Sequence, residues 1–189
     1  MKRFICAALL PMLMAIAASA RTPFNFQIDP IQVTAVSFVD LNRYAGKWFE
    51  IAYLPNKFQK DCVGNTTATY TLTPNGTMEV LNRCLKKNGA ALETKGTAQV
   101  TDSKTNAKFK ISLFNAPYWI IDLDPNYNYA VVGNPERKNL WILSRSPQMD
   151  DATYQNTLRR VERMGYDPNK LTKTSQKNET VKGAMIEKQ

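Results

Sequence analysis

The chain has 189 residues, 43% of them hydrophobic and 22% charged, with a formal net charge of +9 and no histidine. This supports one domain with a real core. The missing imidazoles remove Ser-His and Cys-His nucleophile pairs, histidine-ligated haem and most zinc sites, so neither a cofactor nor a metal is expected. The basic surplus raises nucleic acid or an anionic membrane as partner. However, Lys86-Lys87, Arg159-Arg160 and the lysines from Lys104 to Lys110 are scattered among polar and acidic residues. Without a long basic run they read as solvated surface, which argues against nucleic acid and leaves only a weak attraction to anionic head groups.

At the start of the chain, Lys2 and Arg3 precede an apolar run from Phe4 to Ala18 that closes in Ala18-Ser19-Ala20. That is the plan of a secretory signal peptide cut after Ala20. The run contains Pro11 and falls short of the roughly 20 residues a membrane-spanning helix needs. Cys6 sits at its front, where a lipid-accepting cysteine would instead close it. An exported chain, periplasmic or secreted and soluble after cleavage, is the expectation. Residues 21–39 carry Pro23 and Pro30 with few periodic apolar positions and read as an N-terminal extension, and Asp40 caps a short helical turn ending at Tyr44.

β-Prone segments follow at Trp48–Leu54, Thr66–Leu72, Thr77–Leu85, Leu92–Thr101, Ala107–Phe114, Tyr118–Leu123, Tyr129–Gly133 and Asn139–Arg145. Turn residues separate them, as at Pro74-Asn75-Gly76 and Asp124-Pro125-Asn126. Links this short make neighbours antiparallel, because parallel strands need long crossovers. Eight such strands expose two edges unless the sheet closes. The predicted fold class is therefore all-β, an eight-stranded up-and-down antiparallel barrel. One helix is predicted from Asp150 or Asp151 to Met164, acidic at its start, rich in arginine late and stopped by Gly165. Its stripe of Tyr154, Leu158 and Val161 should pack on the outside of the sheet. Lys170–Ser175 adds a short pairing strand, so the barrel domain runs over 40–175, and 176–189 is a polar, flexible tail.

Cys62 and Cys84 are the only cysteines after the leader, and in an oxidising compartment a single disulfide is the economical reading. A hairpin turning at Pro74-Asn75-Gly76 sets Cys84 opposite about Thr66, so the bridge needs a bulge, or a curl of the chain before the strand. The inward positions are Tyr70, Leu72, Met78, Val80, Asn82, Phe109, Ile111, Leu113, Trp141 and Leu143. An eight-stranded barrel is either just filled by such side chains or holds one small ligand. Pattern alone leaves both open.

Asn42-Arg43-Tyr44-Ala45-Gly46-Lys47-Trp48-Phe49-Glu50-Ile51-Ala52 resembles the first signature of the lipocalin family. Asp124-Pro125-Asn126-Tyr127 with Ala130-Val131-Val132-Gly133 resembles the second, and Leu140-Trp141-Ile142-Leu143-Ser144-Arg145-Ser146-Pro147 the third. The likeness spans roughly Val36 to Thr174, and Asn115-Ala116-Pro117-Tyr118-Trp119-Ile120 and Gly133-Asn134-Pro135-Glu136-Arg137 are similar to strings in bacterial lipocalins and apolipoprotein D. The resemblance implies a non-enzymatic carrier of fatty acids, lysophospholipids or other small lipophiles. It makes Gly46, Trp48 and Arg145 a structural barrel floor, with Arg145 stacked on Trp48. Tyr70, Asn82, Phe109, Ile111, Tyr118 and Trp141 are then the residues expected to face a ligand. Many bacterial relatives are anchored through a cysteine directly after the signal, where this chain has Arg21, so a soluble shuttle is expected instead. Two other readings stand beside it. One is a filled barrel acting as a protein-interaction module. The other is a lipid isomerase using Cys62 or Cys84, with no histidine to lower the thiol pKa.

Overall fold

The computed structural model describes residues 32–112 and 117–177. The predicted signal peptide, the extension through residue 31, Leu113 and the tail from residue 178 lie outside the described residues. Asp40 caps a one-turn helix, α1 (Leu41–Tyr44), its carboxylate accepting from the amides of Asn42 and Arg43. Eight strands follow: β1 (Gly46–Tyr53), β2 (Cys62–Leu72), β3 (Met78–Lys86), β4 (Ala91–Val100), β5 (Lys108–Ile111), β6 (Pro117–Leu123), β7 (Tyr129–Gly133) and β8 (Leu140–Ser144). Each pairs antiparallel with the next from β2 to β8, and β1 pairs with both β8 and β2, closing the predicted barrel. Alternation sets the facing, most clearly in β5, where Phe109 and Ile111 are buried and Lys110 is exposed.

Bulges make the decisive departures from simple alternation. β1 shifts register against β8 between Glu50 and Ala52. Trp48 therefore joins the cluster inside the barrel and Glu50 lines the lumen, whereas Ala52, two residues further on, packs into the cluster outside. β2 shifts twice against β3, between Cys62 and Gly64 and between Gly64 and Thr67, with Asn65 left-handed at φ 50°. These shifts absorb the expected offset, bring the Cα atoms of Cys62 and Cys84 to 5.6 Å and allow the disulfide.

A ninth strand, β9 (Thr172–Lys173), pairs with Ala52 and Tyr53 of β1. The chain beyond it fills the gap where β1 and β2 splay. Asn65 N donates to Ser175 O at 2.8 Å, and the Gln176 side-chain amide donates to Glu50 O and Thr66 O, each at 2.8 Å. Gly64 permits this approach, because a Cβ there would lie 2.6 Å from Ser175 O.

The helix α2 (Asp151–Arg163) is capped by Asp150 and lies on the outer face of the sheet, where Tyr154 and Val161 pack with Ile121, Val131, Leu140 and Ile142. The predicted stripe packs on the sheet, with Leu158 partly buried against the same cluster. Thr157, not Leu158, is fully buried, and it tolerates this because its hydroxyl donates to Thr153 O at 2.9 Å.

Candidate functional site

The floor is built first, from chain ends that barrel closure brings together. Trp48 is fully buried and its indole donates to Tyr44 O at 2.8 Å. The Arg145 guanidinium carbon lies 3.7 Å from the Trp48 ring centroid, a geometry worth up to about 2 kcal/mol when desolvated. The same guanidinium donates to Arg43 O at 2.6 Å, Lys47 O at 3.0 Å and Tyr44 O at 3.1 Å, so it ties the end of α1 to the start of β1. Gly46 adopts φ 98°, and a Cβ there would come within 3.3 Å of Arg145 Nη1. Gly46, Trp48 and Arg145 thus meet at one end of the barrel.

Directly above stand Tyr44, Tyr70 and Tyr118, joined at their hydroxyls: Tyr44 to Tyr118 at 3.2 Å and Tyr70 to Tyr118 at 2.5 Å. Burial pushes all three phenols up, Tyr70 to about 12. Above them opens a cavity of about 150 Å³, roughly ten times the ~10–15 Å³ one water needs. Its wall includes Tyr70, Asn82, Ile111, Tyr118 and Trp141 among the residues the sequence singled out. Phe109 is not on that wall. It is buried edge-on against Tyr118, with ring centroids 6.0 Å apart. β5 points it inward as expected, but Tyr118 covers it.

The wall also holds Glu50 and, from the β1–β2 loop, Phe58 and Gln59. Glu50 is 3% exposed and makes no ion pair among the described residues. Its carboxylate accepts from Gln59 Nε2 at 2.6 Å and from Thr174 Oγ1 at 2.5 Å. Burial pushes its pKa up from 4.5 to about 7, against the pull of hydrogen bonds from Thr174, Gln59 and Thr66. Gln59 Oε1 in turn accepts from Trp141 Nε1 at 2.7 Å and Asn56 Nδ2 at 3.0 Å. One loop amide thereby ties the cavity's cover to β1 and β8. Glu50 was available to sequence reasoning, since it lies two residues beyond inward-facing Trp48. Gln59, in a loop without periodicity, gave no such signal.

Both cysteines lie on the cavity wall, and the disulfide leaves no thiol for a nucleophile among the described residues. Those residues also contain no metal-ligating cluster and no helix long and apolar enough to cross a membrane.

A family model described as a lipocalin-like domain matches residues 39–176. Temperature-induced lipocalin-1 of Arabidopsis thaliana is 38% identical over 156 residues, covering 77% of this chain and 83% of that protein. The outer membrane lipoprotein Blc of Escherichia coli (strain K12) is 34% identical over 171 residues, covering 88% and 93%. Apolipoprotein D of Mus musculus is 33% identical over 151 residues, covering 74% and 78%. Among solved structures, insecticyanin from the tobacco hornworm Manduca sexta superposes with a TM-score of 0.64 at 23% identity, covering 77% of this chain and 85% of that one.

Proposed function

This chain belongs to the lipocalin-like family, and from that premise we propose that it is a non-enzymatic carrier holding one small lipophile in the barrel lumen, a fatty acid or lysophospholipid by chemistry. The observation that carries this is the cavity of about 150 Å³ above a sealed floor, walled by aromatic and aliphatic side chains with a few convergent polar groups. An acyl chain entering it gains about 0.8 kcal/mol per methylene before ordering costs, which gives micromolar binding with loose preference for chain length. Trp141, Tyr118, Tyr70, Ile111 and Asn82 are the contacts we assign to the ligand. Arg21 after the predicted cleavage site supports a soluble exported shuttle, drawn weakly to anionic head groups.

Displacement of a fluorescent acyl probe by palmitate and by lysophosphatidylcholine tests the reading. Saturable displacement by at least one of them is expected. Failure of both to displace the probe, or to bind on their own, overturns it.

A further inference from the structure

The three tyrosines above the floor come from different elements, and their hydroxyls meet only one another: Tyr118 contacts Tyr44 at 3.2 Å and Tyr70 at 2.5 Å. Three hydroxyls carry three protons, and two contacts use two of them. Whatever the direction of the chain, one proton has no acceptor among the described residues. If it stays on Tyr44, which is fully buried and away from the cavity wall, a donor is buried unpaired, which is costly. If it rests on Tyr70 or Tyr118, it sits on a residue of the cavity wall, where a bound molecule can supply the acceptor. The second arrangement is favoured.

Resting on the carrier reading above, we propose that this triad is a hydrogen-bond donor to the cargo, and that it selects a lipophile whose leading end bears an uncharged oxygen acceptor, such as a ketone or ester carbonyl. An anionic leading end is disfavoured by what surrounds the triad. Arg145 lies against the Trp48 ring, in the floor, and the wall's single cation among the described residues, Arg83, pairs with Glu93 at 2.7 Å on side chains about half exposed. The other charged group on the wall is an acid, Glu50. Burial keeps the phenols neutral, and hence donors, through the working pH range. A free fatty acid enters with its carboxylate toward the mouth, whereas a neutral carbonyl goes down to the tyrosines.

The same proton count sets the test. Either Tyr70→Phe or Tyr118→Phe alone leaves a wall hydroxyl with a proton to give, so both must be changed together. Butylbenzene and 4-phenylbutan-2-one share a skeleton and differ by a methylene against a carbonyl. Calorimetric titration of both is expected to show the Tyr70→Phe/Tyr118→Phe variant losing about 3- to 10-fold in ketone affinity. Butylbenzene binding stays within about twofold, which also reports that the variant is folded, and Tyr44→Phe alone leaves the ketone within about twofold. An unchanged ketone-to-hydrocarbon ratio in the double variant overturns the proposal while leaving the carrier reading intact. Failure of the unaltered protein to bind either probe overturns both. A second measurement needs no variant: the carbonyl stretch of the bound ketone should fall below its frequency in hexane, and an unshifted band overturns the donor role.

Discussion

Replacing Glu50 with glutamine removes a buried carboxylate that the barrel wall holds without a cation, and the effect is read against pH. Below pH 4.5 the folded and unfolded states both hold the Glu50 proton. Between 4.5 and about 7 the folded state keeps a proton that the unfolded state has shed. Unfolding then releases that proton, so stability falls as pH rises through this window and the loss is complete above about 7. At ~1.4 kcal/mol per pH unit the interval amounts to about 3 kcal/mol, or roughly 6–12 °C in Tm for a domain of this size. Glutamine has the same shape and does not titrate. Its amide nitrogen must face Gln59 or Thr174, at a cost of about 1–3 kcal/mol at every pH, so the slope is diagnostic and the absolute level is not. Asp102 and Asp150, held below their ordinary 3.8 by hydrogen bonds led by those from Thr105 and Thr153 respectively, contribute stability that is lost as pH falls, at the acid side of this window. Melting followed by circular dichroism from pH 4.5 to 8 should show the unaltered protein losing about 6–12 °C more than Glu50→Gln. Parallel curves for the two proteins would refute the assignment of the slope to Glu50.

Trp48→Ala is expected to cost about 3–5 kcal/mol in denaturant unfolding while the folded fraction binds acyl probe normally; Trp141→Ala should weaken probe binding by a larger factor than its loss of stability explains. Gly64→Ala forces a Cβ to 2.6 Å from Ser175 O, so hydrogen exchange should lose protection at the Asn65 amide, which donates to that oxygen, while amides of β6 and β7 keep theirs. Reducing Cys62–Cys84, which closes a sequence separation of 22, should lower stability by about 3 kcal/mol in the chain-entropy picture, and matched midpoints with and without reductant would show that the bridge constrains little.

What was legible in the sequence was periodicity, and periodicity fixes which face a residue takes. It located Tyr70, Asn82, Ile111 and Trp141 on inward faces, whereas Tyr118 came from the family resemblance, and short turns enforced the barrel order. It carries no depth, so Phe109, on the correct face, ends up beneath Tyr118. Nor does it carry register once a bulge intervenes. No glycine or proline marks the shift between Glu50 and Ala52, and the paired shifts around Gly64 and Asn65 that let Cys62 reach Cys84 depend on the chain beyond β9, more than a hundred residues downstream. The Glu50–Gln59–Trp141 network joins an inward strand position, a loop and another strand, a meeting set by tertiary closure. The helix stripe of Tyr154, Leu158 and Val161 packs where periodicity put it, and what periodicity missed is the buried Thr157, whose hydroxyl has a backbone acceptor.

Occupancy of the lumen by a single lipophile is tested most directly by native mass spectrometry of the protein loaded with oleate or lysophosphatidylcholine, set beside Ala68→Phe, which puts a ring into the cavity that Ala68 lines. One bound molecule per chain is predicted for the unaltered protein, with much weaker retention in the folded Ala68→Phe variant. No adduct with either lipid, or equal retention by both proteins, would contradict binding in the barrel.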